Sequence, residues 1–91
     1  MVHVYVIQSL SDDTWYTGMA INPTKRLKEH NNGKNRFTKG HMPWKLIYTE
    51  VHPNWEVARK REKYFKTAAG KKWLKNYFIN LHGGDMGSLP A

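Results

Sequence analysis

The chain contains no cysteine. That absence excludes disulfides, thiolate metal sites and any disulfide-linked partner. No stretch approaches the ~20 apolar residues of a membrane-spanning helix. Met1 to Ser9 lack the basic start and long apolar run of a secretory signal. The expected compartment is therefore the cytoplasm, with no membrane partner. A Gly-rich phosphate loop, zinc-ligand spacing and a Ser/His/Asp arrangement are also missing, which removes several familiar catalytic chemistries. Acidic residues are few: 7 Asp and Glu stand against 15 Lys and Arg, a net charge of +8. Such a field attracts polyanions, nucleic acid first among them.

What is present is one domain's worth of chain, 91 residues, with 4 Trp, 5 Tyr and 3 Phe to build a core. Val2 to Ile7 is β-branched and aromatic and reads as a strand. Ser9 to Asp13 has turn chemistry, and Thr14 to Met19 returns as a second strand. Asn22-Pro23 is a helix start, and the helix runs to a stop at Asn31-Asn32-Gly33. Lys34 to Met42 is polar and basic and is expected as a loop. Trp44 to Val51 reads as a third strand. A second helix is expected from Trp55 to about Ala69, broken by Gly70, and a third from Lys71 to Leu81. The order β-β-α-β-α-α predicts an α+β fold, a three-stranded antiparallel sheet flanked by about three helices. We expect one domain over residues 1–81 and a loose tail over 82–91.

Five residues carry the chemistry. Tyr5 and Tyr16 lie one on each hairpin strand; a loop at Leu10-Ser11 would oppose them directly and give their phenols one face. The blander reading is two half-buried core tyrosines. Arg26 and His30, four apart, stack on one helix face, where they can present donors to one phosphate. The blander reading there is a solvated face. Glu62 shares a helical stripe with Trp55, Ala58, Phe65 and Ala69, a stripe expected to face the sheet. An acid in that place needs a partner. Either it holds a hard divalent cation beside a phosphate, or it pairs with a neighbouring Lys or Arg. Lys34, Arg36 and Lys39, and later Lys71 and Lys72, interleave with Phe37, Trp73 and Tyr77. Cations there would hold a nucleic-acid backbone while rings stack on bases; alternatively the rings belong to the core.

Taken in order, these pieces resemble the GIY-YIG nuclease superfamily, closest to small stand-alone bacterial domains similar to the catalytic module of excinucleases. His3-Val4-Tyr5 stands at the first triplet and Tyr16-Thr17-Gly18 at the second. Lys25 to Asn31 looks like the Arg-bearing helix, Pro43 to Tyr48 like the third strand, and Ala58 to Lys63 like the helix of the metal-binding Glu. His3 and Thr17 depart from the triplets, at positions where small members vary. The resemblance implies a metal-dependent endonuclease that hydrolyses a phosphodiester bond, in DNA above all, in repair or recombination. It implies one Mg²⁺ or Mn²⁺ on Glu62, charge neutralisation by Arg26, water orientation by Tyr16, and Tyr5 or His30 as proton acceptor. A late Asn supports the site in many members; Asn76 is the nearest candidate, and Asn80 competes. The alternative is a non-catalytic basic nucleic-acid-binding module of the same fold.

Overall fold

The computed structural model describes residues 1–81; the tail expected over 82–91 lies outside the described residues. Seven elements follow one another: β1 (Val2–Ser9), β2 (Trp15–Ala20), α1 (Pro23–Asn31), α2 (Arg36–Lys39), β3 (Trp44–His52), α3 (Trp55–Phe65) and α4 (Ala68–Leu81). The three strands form one antiparallel sheet in the order β2-β1-β3. This is the expected α+β architecture, with one addition. The segment expected as loop contains α2, a single helical turn capped by Asn35, whose side chain accepts the Phe37 and Thr38 N–H groups.

β1 is the centre of the sheet and is buried on both sides, so its alternation sorts two cores. Val2, Val4 and Val6 face α3 and α4, packing on Ala58, Phe65, Leu74 and Phe78. Tyr5 and Ile7 face the other way and meet Ala20, Trp44 and, from α1, Leu27. A bulge in β3 serves this division. Val6 pairs with Tyr48 but Ile7 pairs with Leu46, so Ile47 is the extra residue. The insertion turns Leu46 and Trp44 onto the face of Tyr5, where regular alternation would have sent them to the opposite one.

The hairpin register differs from the expected one. Tyr5 pairs with Gly18, and Tyr16 with Ile7. The turn spans Leu10 to Thr14 and not Leu10-Ser11, because Ser9 and Asp12 side chains accept backbone N–H groups within it and Asp13 adopts a left-handed φ of 64°. The slip is two residues, one full pleat period, so the partner changes but the face does not. Tyr5 and Tyr16 are diagonal neighbours on one face.

The helical boundary between α3 and α4 also moves. α3 ends at Phe65, and Thr67 starts α4 by accepting the Gly70 N–H on its hydroxyl at 3.1 Å. Gly70 is therefore no breaker; it lies buried in the first turn of α4, where a Cβ would fall 1.9 Å from the Tyr64 carbonyl oxygen. This shortening splits the expected stripe. Ala58 and Phe65 are buried, but Trp55 is half exposed at the start of α3 and Ala69 belongs to α4 and is exposed. Among the described residues no helix is long and apolar enough to cross a membrane.

Candidate active site

The free edge of β2 is where side chains from both layers can meet. Tyr5 reaches it from the central strand by crossing Gly18: a Cβ at position 18 would lie 2.5 Å from the Tyr5 hydroxyl. Glycine ends the second triplet because the phenol occupies the space a side chain would need. The Tyr5 hydroxyl lies 2.9 Å from Nε2 of His30, and Nδ1 of His30 lies 2.8 Å from the Thr38 hydroxyl. All three residues are buried, His30 and Thr38 completely. The spacing of Arg26 and His30 does bring them to one face, but His30 is no solvated residue.

Two further contacts hold this line rigid. The Thr38 carbonyl accepts the Trp44 indole N–H at 2.8 Å, and Asn31 brackets the Trp44 backbone by accepting its N–H and donating to its carbonyl. The bulge in β3 is what presents Trp44 to this side. Thr38 carries no signal of its own in the sequence; the clue was Asn35 three residues ahead of it, a helix cap inside an apparent loop.

Burial sets the protonation of the line. It pushes the Tyr5 hydroxyl up to about 12, against the pull of the Arg26 guanidinium and with the help of Tyr16 and Glu62. Burial also lowers the His30 pKa, and the Arg26 charge adds to that effect. His30 is therefore a neutral imidazole at neutral pH, with one nitrogen donating and the other accepting. Arg26 is about one-third exposed and its Nη1 donates to Glu29 Oε1 at 2.8 Å. That bond raises the Arg26 pKa and lowers that of Glu29. Glu29, one turn along α1, was not among the expected site residues.

Glu62 comes from the opposite layer. Its side chain is 16% exposed, and among the described residues its one ion pair is with Lys66 at 3.4 Å. The same ammonium lies 5.9 Å from the centre of the Tyr16 ring. Tyr16 is half buried, against His30, Phe37 and Trp44. Tyr5, Tyr16, Arg26, His30 and Glu62 thus gather around one point at the β2 edge. Among the described residues no cluster of three or more His, Cys, Asp or Glu could hold a metal by itself. One weakly paired carboxylate at the rim of the core suits a hard cation that keeps most of its waters and takes a substrate phosphate as a further ligand.

The other expected residues are more dispersed. Asn76 and Asn80 are exposed on α4, and neither is hydrogen-bonded to the group above. Lys34, Arg36, Lys39, Lys71 and Lys72 are all exposed, and of these Lys71 lines a cleft beside Tyr16. Trp73 and Tyr77 stack on each other, their planes 7° apart, and close the core over Tyr48. Arg61 is committed to structure as well. It bonds Glu50 at 2.9 Å and lies over the Phe65 and Trp73 rings. Glu50 in turn takes the Tyr48 hydroxyl and His52.

Comparison with known proteins gives the family. The family model described as the GIY-YIG catalytic domain matches residues 1–77. A UPF0213 protein of Clostridium perfringens is 42% identical over 67 residues, covering 72% of this chain and 71% of its own. The UPF0213 protein BH0048 of Halalkalibacterium halodurans is 33% identical over 85 residues, covering 92% and 88%. The solution NMR structure of UPF0213 protein BH0048 from Bacillus halodurans superposes with a TM-score of 0.50 at 29% identity, over 99% of this chain and 100% of that one. The chain belongs to the GIY-YIG family, a nuclease family whose members act on nucleic acid and generally use a divalent metal.

Proposed function

From that membership we propose that this chain is an active endonuclease. It hydrolyses a phosphodiester bond in nucleic acid, DNA above all, with one Mg²⁺ or Mn²⁺ held by Glu62, and serves repair or recombination in the cytoplasm. The observation that carries the reading is the convergence of Tyr5, Tyr16, Arg26, His30 and Glu62 at one strand edge within a basic chain. A bare binding module has no use for a weakly paired carboxylate there.

In this reading Arg26 meets the phosphoryl oxygens, its charge opposing the charge that grows on them. Bound at Glu62, the cation would polarise the phosphate and steady the leaving oxygen. A hydroxyl that holds its proton to about 12 is a poor base alone. The neutral His30 behind it changes the balance. With Nδ1–H donating to Thr38, Nε2 accepts the Tyr5 proton while the Tyr5 oxygen takes one from the attacking water. Tyr5 is then a relay and His30 the acceptor; the hydroxide attacks phosphorus as the bond to the leaving oxygen breaks, water protonates that oxygen, and the proton held on the imidazole returns to solvent through Tyr5. Tyr16 lines the approach and orients the water or phosphate.

The test is Glu62→Gln, assayed on labelled single-stranded, duplex and branched DNA with Mg²⁺, Mn²⁺ or EDTA. We expect cleavage to be lost and binding kept. The Glu62–Lys66 pair is long and its lysine half exposed, so its loss costs about 0–1 kcal/mol and the melting temperature should barely move. A mutant that cleaves like the wild type would refute the metal role. Wild-type protein that binds DNA but never cuts it would leave the binding module standing in place of the nuclease.

A further inference from the structure

A cleft of about 240 Å³ runs along the β2 edge beside the cluster, and its walls come from both layers. Tyr16 and Phe37 line it on the α1/α2 side, Trp15 and Phe65 on the other, and Lys66 and Lys71 also belong to its lining. Phe37 is the unusual member. It is 48% exposed, set against Tyr16 and His41, and buries no core. Its turn is held by the Asn35 cap, and the adjacent Thr38 by His30, so the ring is displayed from a fixed backbone. Exposed aromatic faces beside lysines match the chemistry of a nucleobase attached to its phosphates.

We propose that this cleft is a subsite for an unpaired nucleobase next to the scissile phosphate, with the base against Phe37 and its flanking phosphates on Lys66 and Lys71. The inference rests on the nuclease reading, because it takes the Tyr5–Arg26–Glu62 cluster as the place of the scissile bond. It narrows that reading to substrates that are single-stranded, or locally unpaired, at the cut. In a continuous duplex each base has its faces covered by its neighbours in the stack, and none is free to meet Phe37. Lys66 links the two regions, touching Glu62 at 3.4 Å and lining the cleft.

The test uses the full chain carrying Glu62→Gln, so that binding is read without cutting. Fluorescence anisotropy compares a short single strand, the same strand with one abasic site moved stepwise along it, and the matched duplex. Stacking on a ring contributes roughly 5- to 150-fold per base. Added Phe37→Ala should therefore weaken the intact strand by at least 5-fold, and Phe37→Trp should restore it. One abasic position should produce a similar loss, and on that strand Phe37→Ala should add less than 2-fold. Equal losses on intact and abasic strands, or no position-dependent loss in the abasic scan on unaltered Phe37, would overturn the subsite. So would wild-type cleavage of continuous duplex as fast as of single strand, which would leave the nuclease reading intact. Base-dependent binding without cleavage of any substrate by the wild type would do the reverse: the subsite stands and the nuclease reading fails.

Discussion

Gly18→Ala is the smallest change that should disable the site. The backbone at position 18 has no left-handed φ, so alanine is conformationally allowed there. By stiffening the unfolded chain it would gain about 0.4–1 kcal/mol. The packing term opposes this gain. The new methyl would lie 2.5 Å from the Tyr5 hydroxyl and 2.7 Å from its ring carbon Cζ, closer than any real contact, and Tyr5 is 1% exposed with nowhere to retreat. Overpacking of this kind costs about 1–3 kcal/mol. A phenol pushed off His30 leaves the buried imidazole Nε2 unpaired, a further ~1–3 kcal/mol. The net is a loss of roughly 1–5 kcal/mol from these terms. For a domain of this size each kcal/mol lowers Tm by about 4–8 °C, so thermal melting would register even the lower bound. Cleavage should fall by about 10²–10⁴, the usual contribution of a positioned proton acceptor. Tyr5→Phe provides the control, since it removes the 2.5 Å contact but keeps the one at 2.7 Å. The double mutant should therefore lose less than the two single losses added together. Strict additivity, or a Gly18→Ala protein that melts and cuts like the wild type, would refute the claim that glycine is there to let the phenol cross.

Three further outcomes follow from the same geometry. Gly70→Ala should be worse than Gly18→Ala, because its methyl meets the Tyr64 backbone carbonyl at 1.9 Å rather than the end of a side chain; comparable melting temperatures would contradict this. Stability against urea should have two pH limbs. The His30 pKa is lowered by folding, so the unfolded chain binds the extra proton; stability is full above the unfolded value near 6.5 and falls as pH drops below it. Tyr5 is raised to about 12, so its limb runs the other way, with up to ~3 kcal/mol lost between pH 10 and 12; a flat profile at both ends would count against a buried line. Finally, the net charge of +8 predicts nucleic-acid affinity that falls steeply with salt as condensed counterions are released, and a retardation assay at 50 and 200 mM salt checks it.

Much of the fold is local information. Strand alternation, the Asn22-Pro23 start and the Gly33 stop are set by near neighbours, and the β2 hairpin kept its face even though its register moved by two residues. The last helix starts earlier than its composition predicts, at Ala68 and not at Lys71. Glycine after a helical run signals a break, whereas Gly70 is required by the close approach of the Tyr64 carbonyl, a contact between helices that composition does not reveal. Of the site, the residue types were legible and their burial was not. Arg26 and His30 look alike as neighbours on a helix, yet one is part exposed and the other fully enclosed. The difference lies in Thr38 and Trp44, which arrive from a short helix and a bulged strand.

The position of the site explains why face-by-face reading stops short of it. A helix stripe or strand alternation assigns each residue to one side of the sheet. Tyr5, Tyr16, His30 and Phe37 belong to one side, and Glu62, Lys66 and Lys71 to the other. An interior strand would keep the two sets apart. β2 is an edge strand, so both can reach around it, and Gly18 lets Tyr5 do so from the middle of the sheet. In the proposed function this edge stays open to nucleic acid, and an open edge is also open to other strands. Under the proposed function the basic residues gathered beside it, Lys66 and Lys71, would serve both needs: like charge repels a second copy of the chain, and a polyanion is drawn in.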